Sequence, residues 1–234
     1  MIFQKFKVRS HEPERLDTGD YTADEYGLWQ KEMAFIHRFF GEKRALRNSL
    51  VADIRRSGSR SVSILDIGAG SGDLLRDVNK KIDVEHKLLV GVELAHEAAT
   101  SIQADGILAV RSNAASLPFA DQSFDYTFCT LMLHHLSDEA AIDLFREMER
   151  ITRFRLIVID LERSVLSYYL YRALGRVFLQ RFTLDDGSLS IRRSFTRNEL
   201  TSIGKRAGLT NFEVRNSAVG RLVASAGAIN GAGE

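Results

Sequence analysis

The sequence predicts an α/β fold built on a doubly wound, mainly parallel sheet. Three observations carry this reading. From residue 60 onward, short β-rich runs alternate with amphipathic helical segments, the pattern of a parallel sheet covered on both faces. One of those runs enters a glycine-rich turn, Gly68-Ala69-Gly70-Ser71-Gly72, which opens a helix. The 234 residues, 44% hydrophobic and 27% charged, suffice for one sizeable domain and fall short of two full ones, so 1–234 reads as a single domain.

Residues 22–57 read as an N-terminal helical cap, completing a 1–57 segment. Apolar residues recur at Trp29, Met33, Ile36, Phe40, Leu46, Leu50 and Ile54. Thr22 or Asp24 caps the start, Gly41 divides the run in two, and Ser57-Gly58-Ser59 ends it. The core, 60–162, alternates regularly. Strands are expected at 62–67, 86–94, 106–111, 124–133 and 155–162, with helices at 71–82, 95–105 and 137–151. Ser137 or Asp138 caps the last of these helices.

Residues 164–183 break the alternation with a single aromatic helix. The segment 163–195 is therefore expected to be a helical lid, with Tyr168, Tyr169, Tyr171, Phe178 and Phe182 over a flat, apolar ligand. Thr196 and Glu199 form a capping box for a helix to about residue 206, which Ala207-Gly208-Leu209 ends. The runs 212–217 and 220–226 then close as a hairpin through Ala218-Val219-Gly220, giving a C-terminal unit over 196–228. The tail at 227–234 is expected to fray.

Charge and composition exclude several classes. Thirty-two basic residues against 31 acidic ones leave a net charge of +1, which argues against a nucleic-acid partner. Cys129 is the only cysteine, so there is no internal disulfide and no C-x-x-C site, which suits a cytoplasmic setting. The first 15 residues lack a signal-peptide core, and no stretch approaches the ~20 apolar residues of a membrane span. Histidines 11, 37, 86, 96, 134 and 135 lack ligand spacing, and the adjacent pair 134–135 is expected to point apart, so no metal site is expected.

The chemistry concentrates at Ile64-Leu65-Asp66-Ile67-Gly68-Ala69-Gly70-Ser71-Gly72-Asp73. Glycines allow a sharp turn and a close ligand approach. Asp66 at the strand end suits a cationic ligand or a hydrogen-bonding loop. Glu93, 21 residues beyond Gly72, ends the next strand where an acid accepts hydrogen bonds from ribose hydroxyls. Asn113 follows the third strand and offers an amide to an adenine edge, with Ala114 and Leu117 placed to sandwich the ring. A nicotinamide enzyme shares the turn and the acid. Its fingerprint, G-x-G-x-x-G, however, would need glycine where Asp73 stands, and a carboxylate there repels a pyrophosphate at the helix N-terminus.

These motifs together resemble class I S-adenosylmethionine-dependent methyltransferases, and among them the ubiquinone/menaquinone C-methyltransferase branch. ILDIGAGSGDL, Glu93, NAASLPFADQSFD and CTLMLHHL carry the likeness, chiefly over 62–162. A weaker likeness of the flanks, HEPERLD and DGSLSIRRSFTRNEL, is to methyltransferases found beside polyketide synthases. The resemblance implies a Rossmann-like, seven-stranded sheet with an antiparallel last strand. It implies S-adenosyl-L-methionine as cofactor, whose sulfonium and ammonium tolerate acids around the turn. The implied binding set is Asp66, Gly68, Ala69, Gly70, Gly72, Glu93, Leu94, Asn113, Ala114 and Thr130. The sequence departs from the family at Asn113-Ala114, where Asp-Ala is usual, so adenine recognition is expected to be weaker.

Methyl transfer is an in-line displacement, and a base helps if the acceptor must lose a proton. His135 and His134 follow the fourth strand at the sheet's ligand-binding edge and are the candidate catalytic groups, with His11 as an alternative. Arg192 and Arg193 are placed either to hold an acidic acceptor or as solvated charges. The expected acceptor is a small aromatic, quinone or polyketide-like molecule methylated on oxygen or carbon. A non-catalytic cofactor-binding module is the second reading, and an NAD(P)-dependent oxidoreductase the third.

Overall fold

The computed structural model describes residues 5–39, 41–94, 96–103, 107–217 and 220–227. Seven strands form one sheet: β1 (Ser61–Ile67), β2 (His86–Glu93), β3 (Leu108–Arg111), β4 (Phe124–Thr130), β5 (Thr152–Leu161), β6 (Glu213–Asn216) and β7 (Arg221–Gly227). Their spatial order is β3-β2-β1-β4-β5-β7-β6. The first five pair in parallel, while β7 runs antiparallel to both β5 and β6. This is the doubly wound sheet with an antiparallel last strand that was expected. β4 is buried at every position and β5 from Leu156 to Leu161, as strands covered on both faces must be.

Helices α5 (Asp73–Lys81), α6 (His96–Ile102), α7 (Asp138–Ile151) and α10 (Arg197–Ala207) cover the sheet. Ser137 caps α7 by accepting the Ala140 N–H, and Thr196 with Glu199 forms the capping box of α10. Two apolar cores lie on opposite faces. One joins Leu65, Ile67, Leu133, Phe145, Met148 and Leu200; the other joins Leu50, Ile64, Leu75, Ile102, Phe128 and Ile157.

The N-terminal segment comprises α1 (Arg15–Thr18), α2 (Ala23–Phe39), α3 (Glu42–Leu46), a π-helical turn (Arg47–Val51) and α4 (Ala52–Ser57). Gly41, at φ 114, makes the expected break. The 163–195 segment is two helices, α8 (Val165–Phe178) and α9 (Arg181–Arg193), and not one. No glycine or proline marks the break at Leu179-Gln180. Tertiary contacts hold it: Glu32 accepts the Gln180 backbone N–H at 2.8 Å, and Gln180 Nε2 donates to the Glu25 carbonyl at 2.9 Å. Among the described residues, no helix is long and apolar enough to cross a membrane. The expected hairpin turn at 218–219 and the tail from 228 lie outside the described residues.

Candidate active site

The site is built at the carboxyl ends of β1, β2, β4 and β5. After β1 the backbone N–H groups of Gly68 and Ala69 both donate to the Val92 carbonyl, at 2.9 and 3.0 Å, and so staple the turn to β2. Gly68 and Gly70 have φ 74 and 53, left-handed values that cost most residues strain. Gly68 also lies against Met132, whose sulfur would be 2.7 Å from an added Cβ, whereas a Cβ at Gly70 would meet nothing within 4 Å. The turn is therefore packed on one side at Gly68 and open at Gly70.

Glu93 closes the turn from β2. Its Oε2 accepts the Gly70 N–H at 2.9 Å and its Oε1 the Leu94 N–H at 2.7 Å. Asp66, 1% exposed, lies between Gly91 and Phe128 in the sheet. Burial, reinforced by the Glu93 charge, pushes its carboxyl well above the ordinary range. Neither Asp66 oxygen has a hydrogen-bond partner among the described residues. Buried oxygens of this kind call for a donor or a cation from outside the chain. The ammonium and sulfonium of the expected cofactor match that need.

Asn113 is exposed, and its Oδ1 accepts the Ala115 N–H at 3.0 Å, which leaves its Nδ2 as the outward donor. Ala114 packs partly on the core, and Thr130 is buried at the end of β4. The sandwich role expected of Leu117 does not hold. Its side chain is 5% exposed and belongs to the core, while Glu147 accepts its backbone N–H at 3.0 Å. Asp73 opens α5, where Lys43 lies 2.9 Å and His37 3.7 Å from its Oδ2. Its charge at the helix start is thus shared with residues from the cap.

β4 ends at Thr130, short of the predicted boundary. Leu131, at φ 51, turns the chain out, and a short 3₁₀ turn carries Leu133–His135. This turn overturns the expectation that the two histidines point apart: their ring centroids are 4.2 Å from each other. His134 is buried, with Nδ1 2.6 Å from Asp160 Oδ1 and its backbone N–H donated to Asp160 Oδ2 at 3.0 Å. His135 is 24% exposed at its side chain, with Nδ1 2.9 Å from Asp17 Oδ1. Asp160 is held below the ordinary carboxylate range by the His134 contact and backbone donors, against the cost of its burial.

Above the imidazoles lies Glu14, just before α1. It is 3% exposed, with Oε1 3.9 Å from His134 Nε2. Burial pushes its carboxyl up to about 7, opposed by His135 and Arg193. Arg193 is buried, 3.4 Å from Glu14, and also pairs with Asp17. Arg192 faces Glu12 at 3.4 Å. Both arginines thus face acids of the N-terminal segment; Arg193 is buried, whereas the Arg192–Glu12 pair lies at the surface. His11 is exposed. In the lid, Tyr171 and Phe182 are buried among helices, whereas Tyr169 and Phe178 face solvent; only Tyr168, edge-on to Phe6 at 5.3 Å, lies in between.

Sequence reasoning missed Glu14, Asp17 and Asp160. Asp160 had a signal, being an acid inside the apolar run RLIVIDL. Glu14 and Asp17 lie in HEPERLD, which carried a likeness but no role, because only the docking of α1 on α9 and the 3₁₀ turn brings them there.

Residues 64–154 match the family model of a methyltransferase domain. The chain is 31% identical over 159 residues to the ubiquinone/menaquinone biosynthesis C-methyltransferase UbiE of Hahella chejuensis, covering 62% of this chain and 58% of that protein. It thus spans less than two thirds of that relative. Among solved structures, the plantazolicin methyltransferase BamL, in complex with a triazolic desmethylPZN analogue and SAH, superposes with a TM-score of 0.61 at 19% identity, over 80% of this chain and 71% of that one. An S-adenosylmethionine-dependent methyltransferase from Aquifex aeolicus superposes with a TM-score of 0.53 at 15% identity, over 80% of this chain and 96% of the other. At these identities the solved structures share the fold.

Proposed function

We propose that this chain, a class I S-adenosylmethionine-dependent methyltransferase whose methyltransferase domain spans residues 64–154, methylates a small, flat acceptor of the phenol, quinone or aromatic polyketide kind on oxygen or carbon. The domain match displaces the nicotinamide reading. The observation that carries the cofactor side is the pairing of Glu93 with the Gly70 N–H beside a buried Asp66 whose oxygens have no donor among the described residues. S-adenosylmethionine supplies an electrophilic methyl on a sulfonium. Asp66 meets its positive charge, Glu93 accepts from its hydroxyls while holding the turn, and Asn113 offers Nδ2 to its base.

The acceptor class is supported by the likeness to a quinone methyltransferase and by the aromatic surface of Tyr168 and Phe6. A net charge of +1 suits a small molecule better than a nucleic acid, and the lone buried Cys129 suits the cytoplasm. Proton loss from an acceptor hydroxyl is promoted at the His134–His135 pair, which lies at the end of β4.

The test is thermal unfolding with S-adenosylmethionine, S-adenosylhomocysteine, NAD and NADP in parallel, followed by transfer of labelled methyl to phenol and quinone acceptors. Stabilisation by the adenosyl ligands alone, with label transferred, is expected. Stabilisation without transfer to any acceptor would return the non-catalytic module to the front.

A further inference from the structure

We infer that Glu14, His134 and His135 form a binding site for one first-row divalent cation of the zinc type, in the roof of the acceptor side. One potential donor atom from each residue lies within 4.8 Å of the others, a two-nitrogen, one-oxygen set. Donors around a zinc ion are about 3.4 Å apart when each bond is 2.0–2.1 Å, so a modest inward movement completes the site.

Two features point to a ligand and away from a plain ion-pair network. Both imidazoles have Nδ1 committed to a carboxylate, His134 to Asp160 and His135 to Asp17. That is the outer-shell arrangement that orients metal-binding histidines and leaves Nε2 as the ligand atom. Glu14 is 3% exposed, and its Oε1, 3.4 Å from Arg193 Nη1 and 3.9 Å from His134 Nε2, makes no hydrogen bond among the described residues.

The inference rests on the proposed function only for the cation's role. There it would sit beside the acceptor and favour loss of a hydroxyl proton. The site itself stands on geometry.

The experiment uses the full chain, stripped with EDTA and titrated with Zn²⁺ by calorimetry and with Co²⁺ by visible absorption. One equivalent is expected to bind. Glu14→Gln and His135→Ala should each weaken binding at least tenfold, and Asp17→Asn tenfold to a hundredfold, as outer-shell changes do. The stabilisation by S-adenosylhomocysteine, measured on the same samples, reports that each variant is folded. Absence of saturable binding to the unaltered chain, or binding that Glu14→Gln and His135→Ala leave unchanged, would overturn the site while leaving the methyltransferase reading intact. Metal binding without any response to adenosyl ligands would sink the functional reading and leave the site standing.

Discussion

The Glu93 carboxylate accepts the backbone N–H of Gly70 across 2.9 Å, which ties the end of β2 to the glycine turn after β1. Two signals 23 residues apart in the chain thereby become one surface. The bond does two things: it fixes the turn, and it aims the carboxylate oxygens along the edge where the cofactor is expected.

Replacing Glu93 by alanine is expected to weaken S-adenosylhomocysteine binding roughly tenfold to a hundredfold, from the loss of charge-assisted hydrogen bonds of ~1.5–3 kcal/mol. Calorimetric titration reads this directly. An affinity equal to that of the unaltered protein would remove Glu93 from the site.

Asp66→Asn should trade function against stability. The folded-state pKa of Asp66 is raised, so the native protein keeps a proton that the unfolded chain releases at about pH 4. The unfolded state then binds fewer protons, and stability falls as pH rises above that value. Asparagine carries no such proton. Without ligand, the variant's stability relative to the parent should therefore grow from pH 4 to pH 7, while its thermal response to adenosyl ligands shrinks. Urea unfolding at several pH values tests it; a relative stability that does not change with pH contradicts the account.

Gly70→Ala and Gly68→Ala should separate binding from packing. At Gly70 the added methyl meets no neighbour, so the cost is the left-handed backbone, ~1–2 kcal/mol, together with obstructed ligand approach. At Gly68 the same backbone cost is joined by a clash with Met132, so this variant should be the less stable. Denaturant midpoints rank the two, and Gly70→Ala should be the folded variant that has lost cofactor affinity.

Glu42 and Arg221 form a buried ion pair between α3 and β7, with Glu42 fully enclosed. Glu42→Gln leaves a guanidinium buried without its counter-charge and should destabilise by about 3–5 kcal/mol. The double variant Glu42→Gln, Arg221→Met should recover part of that loss. Equilibrium unfolding of the parent, Glu42→Gln, Arg221→Met and the double variant closes the cycle, and additive losses would show that the pair is not coupled.

Much of the scaffold was legible because it is written in local periods. Continuous apolar runs mark β1, β4 and β5, and the 3.6-residue rhythm marks α7. Gly41, Ser137 and the Thr196–Glu199 box act within four residues of their own positions. The glycine turn and Glu93 were legible for the same reason: the fold places consecutive strand ends at one edge, so spacing predicts proximity.

What the chain by itself determined is the alternation of elements, the parallel core, the turn and the acid that faces it, since short-range sterics and side-chain periodicity are enough for these. Only the tertiary structure decided that Leu117 belongs to the core, that the lid breaks at Leu179-Gln180 on contacts from α2, and that Glu14 and Asp17 come down on His134 and His135. The first depends on α7, about thirty residues on, and the other two on contacts between segments more than a hundred residues apart, where no local propensity operates and the packed cap sets the distance.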